Sequence, residues 1–306
     1  MLVEPARLAA ALGLPPATAV DAEPLAMLPG SPERVTLCPP GAASRAVVVR
    51  RDPDAEAAAN HAAVLEALTN RRFSFAPRLL AIVDGAAVEE CVEGLTALAV
   101  VPPLAALEAA VDAIAALHAL PLREGLRWEL APSEMLPSSY PLHRLGFAAH
   151  EREAAAAAIA AAREALLAGP FGFCHGCLTA DRVLFTDAGP RLVGFEAAGH
   201  GPQLFDLAAF LVTAGMPPPG REALARRYAA NRGLDTGHIA ALAGLAEILW
   251  GVEHQLGLPR RQVEVLGDDV ASEALRLASA RVEAALRAPS GGHPAAEAIR
   301  AALWPA

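Results

Sequence analysis

Apolar residues in the first third of the chain come in short runs that are separated by turn-forming residues. Proline and glycine clusters bound the first three runs, and two later runs flank Asp84-Gly85, a dipeptide that favours a two-residue hairpin turn. Runs of this length and spacing are typical of consecutive antiparallel strands. The predicted strands cover Leu25 to Leu28, Arg34 to Cys38, Arg45 to Arg50, Arg78 to Val83 and Ala86 to Cys91.

A helical pattern interrupts these strands once. Val64, Leu65 and Leu68 lie on one face of a helix, and Asp54 stands where an N-cap residue belongs, so the pattern predicts a helix over Glu56 to Leu68.

Beyond Gly94 the apolar spacing is almost wholly helical, apart from a hairpin between Cys174 and Phe195. The predicted helices run over Leu104 to Leu120, His150 to Leu167, Arg221 to Asn231, His238 to Leu256 and Ser272 to Arg287. The order of elements predicts an α+β fold with two lobes. Residues 1–93 form a small antiparallel-sheet lobe with one helix, and residues 94–306 form a larger, mainly helical lobe.

Composition excludes several classes of function. All 25 Lys+Arg residues are arginine, which excludes a P-loop lysine, a Schiff-base lysine and a lysine general base. A net charge of -9 disfavours nucleic acid as a partner. The longest apolar tract, Ala154 to Ala162, is too short to span a membrane. Four cysteines in 306 residues do not make a disulfide framework, and together with Glu4 in the leading segment they favour the cytoplasm over secretion.

The segment from His175 to Ala208 carries the strongest motif. It contains His175-Gly176-Cys177, a hairpin, Gly194-Phe195-Glu196 and a closing Asp206-Leu207-Ala208. In order and spacing it resembles the aminoglycoside phosphotransferase family, which includes choline-kinase-like enzymes and has a protein-kinase-like fold. Weaker agreement covers most of the chain, at Val47 to Arg50, His61 to Leu68, Val92 to Gly94, Leu117 to Pro121 and Arg227 to Ala230.

The resemblance implies phosphoryl transfer from ATP with Mg²⁺, but three of the residues that this chemistry uses are replaced. The family's catalytic aspartate falls on Cys177, its metal-binding asparagine on Arg182 and its metal-binding aspartate on Gly194. The helix glutamate falls on His61, while the cation of the third strand is kept as Arg50.

These replacements predict that no metal binds. A thiolate suits Mg²⁺ poorly, Gly194 has no side chain, and Arg182 places a cation where the family places an oxygen ligand. Asp181 or Glu196 could take over a lost ligand position, although neighbouring residues of a strand point to opposite faces. The resemblance leaves ATP without Mg²⁺ as a cofactor, bound at the hinge backbone from Glu90 to Val92 and by Arg50 and Arg182.

The remaining motif residues have structural and functional interpretations. Cys174 and Cys177 form a CxxC, which is either a redox or metal motif or a buried cysteine beside a substituted loop residue. The resemblance makes His175 a loop-shaping residue and Asp206 an acceptor for the backbone of the same loop. His118 is interpreted as a helix cap.

Glu247, Trp250 and His254 share a helical face that either lines the acceptor pocket or is solvated. With Glu253, Glu264, Asp268 and Asp269, the acidic residues of this late region favour a cationic small molecule as acceptor or partner if they face the cleft.

Three functions follow from these residues. The favoured one is a catalytically impaired phosphotransferase that acts by binding. The second is an active ATP-dependent small-molecule kinase with relocated metal ligands, and the third is an enzyme that uses Cys177 as a nucleophile.

Overall fold

A computed structural model describes residues 2–25, 32–97, 99–122, 149–263 and 280–303. The first lobe is a five-stranded sheet of β1 (Ala19–Pro24), β2 (Glu33–Cys38), β3 (Arg45–Arg50), β4 (Leu79–Val83) and β5 (Ala86–Glu90). The strands lie in the order β1-β2-β3-β5-β4, and every neighbouring pair is antiparallel. A short helix α1 (Pro5–Ala11) precedes the sheet, and α2 (Ala55–Asn70) follows β3.

Local sequence explains most of this lobe. Val47, Val48 and Val49 are buried at the centre of β3. Asp84 and Gly85 have positive φ angles of 54° and 77°, the backbone that a tight hairpin turn between β4 and β5 requires.

The helix that interrupts the strands has the predicted cap and the predicted buried face. Asp54 accepts hydrogen bonds from the backbone N–H groups of Glu56 and Ala57, at 2.9 and 3.4 Å. Val64, Leu65 and Leu68 are buried on the inner face of the helix.

The strand at the sheet edge precedes the first predicted strand, of which only Leu25 lies within the described residues. The strand at the sheet edge is Ala19–Pro24, whereas Leu25 lies in a bend and residues 26–28 fall outside the described residues. Ala19–Pro24 has few large apolar residues, because an edge strand buries little and is placed by its hydrogen bonds to β2. Pro24 is tolerated there because an edge position does not need a second set of ladder bonds.

The second lobe is mainly helical, as predicted. Its described helices are α3 (Leu104–His118), α4 (Ala149–Leu167), α5 (Leu204–Thr213), α6 (Pro218–Asn231), α7 (Thr236–Val263) and α8 (Pro294–Leu303). Residues 280–287 are also helical, while the first part of the predicted helix from Ser272 lies outside the described residues. Within the described ranges, no helix combines the length and apolarity needed to cross a membrane.

Two small sheets sit beside these helices at the junction of the lobes. β6 (Leu95–Thr96), β8 (Val183–Thr186) and β9 (Gly189–Leu192) form one, and β7 (Phe171–Cys174) with β10 (Gly199–Pro202) forms the other. The predicted hairpin is therefore β8-β9, and its pairing with β6 puts it next to the segment that leaves the first lobe.

Helix α5 was not singled out by the sequence pattern. All ten of its residues are buried, so the helix lacks the polar face that makes helical periodicity visible.

Candidate functional site

Two arginines meet one carboxylate where the lobes face each other. Arg50 ends β3, Arg182 ends the 3₁₀ turn before β8, and Glu196 follows β9. Glu196 Oε1 lies 2.7 Å from Arg50 Nη1, and Glu196 Oε2 lies 3.2 Å from Arg182 Nη1. This contact joins the sheet lobe to the helical lobe through three residues that the sequence analysis had singled out.

The two guanidinium groups keep Glu196 ionised. Burial alone would raise the pKa of this carboxyl, but the charges of Arg50 and Arg182 lower the pKa to about 2. The same contact raises the pKa of Arg182, against the effect of burial. Glu196 is therefore ionised, and each of its carboxylate oxygens is already paired with an arginine.

Behind Arg50 the charge network continues into the first lobe. Arg50 Nε donates to Glu89 Oε1 at 3.1 Å, and Glu89 Oε2 lies 3.5 Å from His61 Nε2 on α2. His61 Nδ1 accepts the backbone N–H of Phe195 at 3.1 Å, which leaves the ring proton on Nε2, facing Glu89. Burial would raise the pKa of Glu89, but the neighbouring His61 ring and the Arg50 charge lower this pKa.

Arg182 and Gly194 fit each other sterically. Gly194 has a φ of +82°, and a Cβ built on it would lie 1.8 Å from Arg182 Nη1. The guanidinium of Arg182 thus occupies the space into which a side chain at position 194 would extend. The glycine at 194 and the arginine at 182 belong to one packing arrangement.

The residues present do not fit the Mg²⁺ ion that the resemblance implies. A cation fills the space beside Gly194, and Glu196 is held by two arginines. Asp181 is half exposed, with Oδ2 3.7 Å from Arg182 Nε. Across the described ranges, no three His, Cys, Asp or Glu side chains come together as a metal site would require. Mg²⁺ needs well-placed oxygen ligands, which this arrangement does not supply.

Cys177 lies two residues after His175, and its side chain is exposed to solvent. The surrounding protein raises the pKa of its thiol, and the charge of Arg182 offsets only part of that rise. Cys177 is therefore mainly a protonated thiol at neutral pH, which favours neither a base nor a nucleophile.

The loop that carries His175 is held by a buried carboxylate. Asp206 accepts the backbone N–H groups of His175 and Gly176, at 2.5 and 2.9 Å, and it is 1% exposed. This confirms the prediction that Asp206 is buried and accepts hydrogen bonds from this loop. The His175 ring is buried as well, with Nε2 3.0 Å from the Val193 carbonyl, and burial lowers the pKa of the ring.

The interpretation of His118 as a helix cap was wrong. Its ring is buried, with Nε2 3.0 Å from Asp206 Oδ2 and Nδ1 2.8 Å from the Tyr228 hydroxyl. The Asp206 carboxylate can only accept, so the His118 Nε2–H donates to it, and Nδ1 of the neutral ring accepts the Tyr228 O–H. His118 therefore completes the support of the His175 loop instead of interacting with the end of its own helix.

Cys174 follows the structural interpretation of the CxxC. Its thiol is buried and donates to the Gly199 carbonyl at 3.4 Å, and burial raises its pKa well above the usual value. Cys174 and Cys177 are both free thiols.

At the predicted hinge, Glu90 is already engaged. Its backbone N–H donates to Arg78 O at 2.9 Å, and its carboxylate lies 3.0 Å from Arg191 Nη2. Val92 follows β5 outside regular structure and is half-buried.

The helical face of Glu247 and Trp250 is neither solvated nor part of the cleft network. Glu247 is fully buried and lies 2.9 Å from Arg221 Nε, and it accepts the Ser290 hydroxyl at 2.7 Å. Trp250 is 6% exposed. The side chains of Glu253 and His254, and residues Glu264, Asp268 and Asp269, lie outside the described part of the chain.

Two residues of the network were missed by sequence reasoning. Asn60 on α2 donates from Nδ2 to the carbonyls of Glu196 and Ala198, at 3.2 and 2.8 Å, and Glu89 lies between Arg50 and His61. Asn60 lies beside His61 on the apolar face of the helix, and a polar residue in such a position was the signal in the sequence that could have identified it.

The comparisons with known proteins concern the family and the fold of the chain. The profile of the phosphotransferase enzyme family matches residues 40–247. No curated protein sequence matches the chain.

Solved structures share the fold at low sequence identity. A choline/ethanolamine kinase family protein from Mesorhizobium loti superposes with a TM-score of 0.56 at 18% identity, covering 97% of each chain. Choline kinase from Cryptosporidium parvum superposes with a TM-score of 0.57 at 12% identity, covering 88% of each chain. An aminoglycoside phosphotransferase from Alicyclobacillus acidocaldarius gives 0.53 at 14% identity, covering 88% of this chain and 89% of the other.

The sheet lobe, the helical lobe and the hairpin at their junction are thus those of a protein-kinase-like fold. Since the family profile spans both lobes and includes the cleft residues described above, the chain belongs to the phosphotransferase enzyme family.

Proposed function

We propose that this phosphotransferase-like protein is catalytically impaired and acts by binding its ligands. The observation that carries the proposal is the position of Arg182, whose Nη1 lies only 1.8 Å from where a Cβ on residue 194 would be. Phosphoryl transfer in this family depends on metal-held phosphates, and a cation in that space repels a metal ion. Cys177, protonated and without a carboxylate, is a poor substitute for the base that orients the acceptor hydroxyl.

The ligand that we propose for the cleft is ATP without Mg²⁺. Arg50 and Arg182 present guanidinium groups that pair well with phosphate oxygens. Glu196 already pairs with both groups, so the phosphates must displace it, and the proposal therefore predicts weak binding. The backbone from Glu90 to Val92 is the proposed contact for the base.

The test is a melting series of the full chain with ATP, with and without Mg²⁺, beside a sensitive assay of ATP consumption. At about 100 times its dissociation constant a ligand adds about 2.7 kcal/mol of stability, which a melting curve detects easily. We expect a small shift that Mg²⁺ does not increase, and no ATP consumption with aminoglycosides, choline or similar hydroxyl compounds.

Variants sharpen this test. The double variant Arg182→Asn with Gly194→Asp restores both ligand types, so its ATP shift should become dependent on Mg²⁺. Glu196→Gln removes the competing anion and should strengthen metal-free ATP binding, whereas Arg50→Ala should weaken it. Arg45→Ala, on an exposed arginine at the other end of β3, is the matched control and should change nothing.

A Mg²⁺-dependent shift or ATP turnover in the unaltered protein would contradict the proposal. If Asp181→Asn or Glu196→Gln then abolished the turnover, the second function, an active kinase with relocated ligands, would replace it. Turnover that stopped only in the Cys177→Ala variant would favour the third function, an enzyme that uses Cys177 as a nucleophile.

The extent of the lobes, the partner and the location are also proposals. We place the boundary between residues 93 and 94, because a Cβ on Gly94 would lie 2.8 Å from Phe185 O, so this residue passes closely against β8. A cationic acceptor is supported by the net charge of -9. Glu247 does not contribute to attracting such an acceptor, because Arg221 neutralises its charge. Four free thiols support a cytoplasmic location.

A further inference from the structure

A cavity lies away from the arginine pair of the cleft. Its volume is about 250 Å³. Its walls come from the end of α2 and the turn that follows, from the start of β4, from the end of β5 and from β9. Arg72, Arg78 and Arg191 line it together with Glu90, Phe73 and Thr69. Arg50 and Arg182, proposed to bind the ATP phosphates, do not belong to this lining. Glu90 contributes its side chain to the cavity, whereas the proposed contact for the ATP base uses its backbone.

The charge of the cavity is positive and only partly neutralised. Glu90 is the single acidic residue in the lining, and its Oε2 is shared by Arg191 at 3.0 Å and Arg78 at 3.5 Å. No ion pair to Arg72 is found within the described residues. Three guanidinium groups against one carboxylate leave a formal charge of +2.

Arg191 has a donor that the protein leaves unused. Its Nε is buried and finds no acceptor within the described ranges, although its Nη2 is bound to Glu90. A buried N–H without an acceptor is costly, so the Arg191 guanidinium is under-satisfied at the wall of the cavity, although Nε itself has almost no surface open to a ligand.

Arg72 is held in an unusual backbone conformation. Its φ is +54°, in the left-handed region that non-glycine residues seldom adopt, at the turn that ends α2. The turn is fixed by Phe73 N–H donating to Leu68 O at 3.0 Å, so the backbone at the mouth of the cavity is defined by hydrogen bonding.

We propose that this cavity binds a small organic phosphate, with its dianion between Arg72, Arg78 and Arg191 and its apolar part against Phe73. A dianion matches the formal charge of +2, and guanidinium groups bind phosphate oxygens in pairs. A volume of about 250 Å³ is smaller than the usual site for a drug-sized ligand, so the ligand is a compact phosphate monoester and not a nucleotide.

Phenyl phosphate is a suitable probe, because it joins a phosphate dianion to one aromatic ring. Its binding to the full chain is measured by calorimetry at low and at moderate salt, with benzyl alcohol as the uncharged comparison. We expect saturable binding of phenyl phosphate that weakens as salt increases, and no binding of benzyl alcohol.

Arg72→Asn is the main variant, since asparagine tolerates the left-handed backbone and removes the charge. Losing one charge-assisted contact should weaken phenyl phosphate binding about tenfold. Arg71→Asn is the matched control, because Arg71 is the exposed neighbouring arginine outside the lining, and binding should change less than about twofold, the scatter expected for a surface substitution. Arg191→Met, which keeps the length of the side chain, should weaken binding as Arg72→Asn does.

Two results would overturn the proposal. One is no saturable binding of phenyl phosphate by the unaltered chain. The other is binding that Arg72→Asn leaves intact but Arg182→Asn abolishes, which would assign the probe to the cleft. The first result leaves the ATP proposal standing, and the second supports phosphate binding by Arg182, so the two proposals fail separately.

Discussion

The buried carboxylate of Asp206 offers the sharpest test of how the loop around His175 is held. Asp206→Ala removes an acceptor from three donors: the backbone N–H groups of His175 and Gly176 and the Nε2–H of His118. A buried donor without a partner costs at least about 1 kcal/mol, so three donors give a loss of about 3 kcal/mol in the free energy of unfolding. This is a large share of the roughly 5–15 kcal/mol that stabilises an ordinary domain.

Asp112 provides a matched control on the surface. Its carboxylate also accepts three hydrogen bonds, two from Arg227 at 2.7 Å and one from Asn231 at 2.5 Å, but its side chain is 36% exposed. Water replaces these contacts when the carboxylate is removed, so Asp112→Ala should have only a small effect.

The assay is urea unfolding followed by circular dichroism, with the midpoint and slope compared across the unaltered protein and both variants. Asp206→Ala should lower the midpoint strongly and Asp112→Ala only slightly. Equal shifts in the two variants, or an unchanged midpoint in Asp206→Ala, would refute the anchoring role.

Two further predictions concern the arginine pair. The pKa of Glu196 is about 2 in the folded protein and near 4.5 in a free side chain, so its ionic contacts stabilise the fold above pH 4.5 and are lost as the pH falls towards 2. A profile of stability against pH should therefore be flatter in Glu196→Gln over that range. An identical profile in the variant would contradict the pairing. Gly194→Ala should destabilise the protein by about 1–3 kcal/mol, through the left-handed backbone and the clash with Arg182. In an Arg182→Ala background only the backbone cost should remain, so a double-mutant cycle without coupling would rule out the close approach.

Much of the fold was predictable from local sequence. The strands Arg45–Arg50 and Ala86–Glu90, the helix Ala55–Asn70 with its Asp54 cap, and the turn at Asp84-Gly85 all follow from periodicity and turn chemistry. These features depend on residues within a few positions of one another, and that is why a single sequence determines them. The edge strand Ala19–Pro24 has little apolar signal and depends on β2 for its position, so the pattern missed it.

The candidate site was identified by the sequence only as a set of positions. The motif from His175 to Ala208 located the loop, the hairpin and the positions Cys177, Arg182 and Gly194, and it predicted the buried role of Asp206. It did not show that Arg182 fills the space beside Gly194, or that Glu196 binds both Arg50 and Arg182.

Tertiary structure decided which partner each polar residue meets. Periodicity assigns His118 and Glu247 to a helix face, but only the packing of distant segments turns them to Asp206 and Arg221. Burial then makes these contacts strong, because a charge away from water must be neutralised by whichever group the fold brings within a few ångströms. Those groups are 88 and 26 residues away along the chain, beyond the reach of any local pattern.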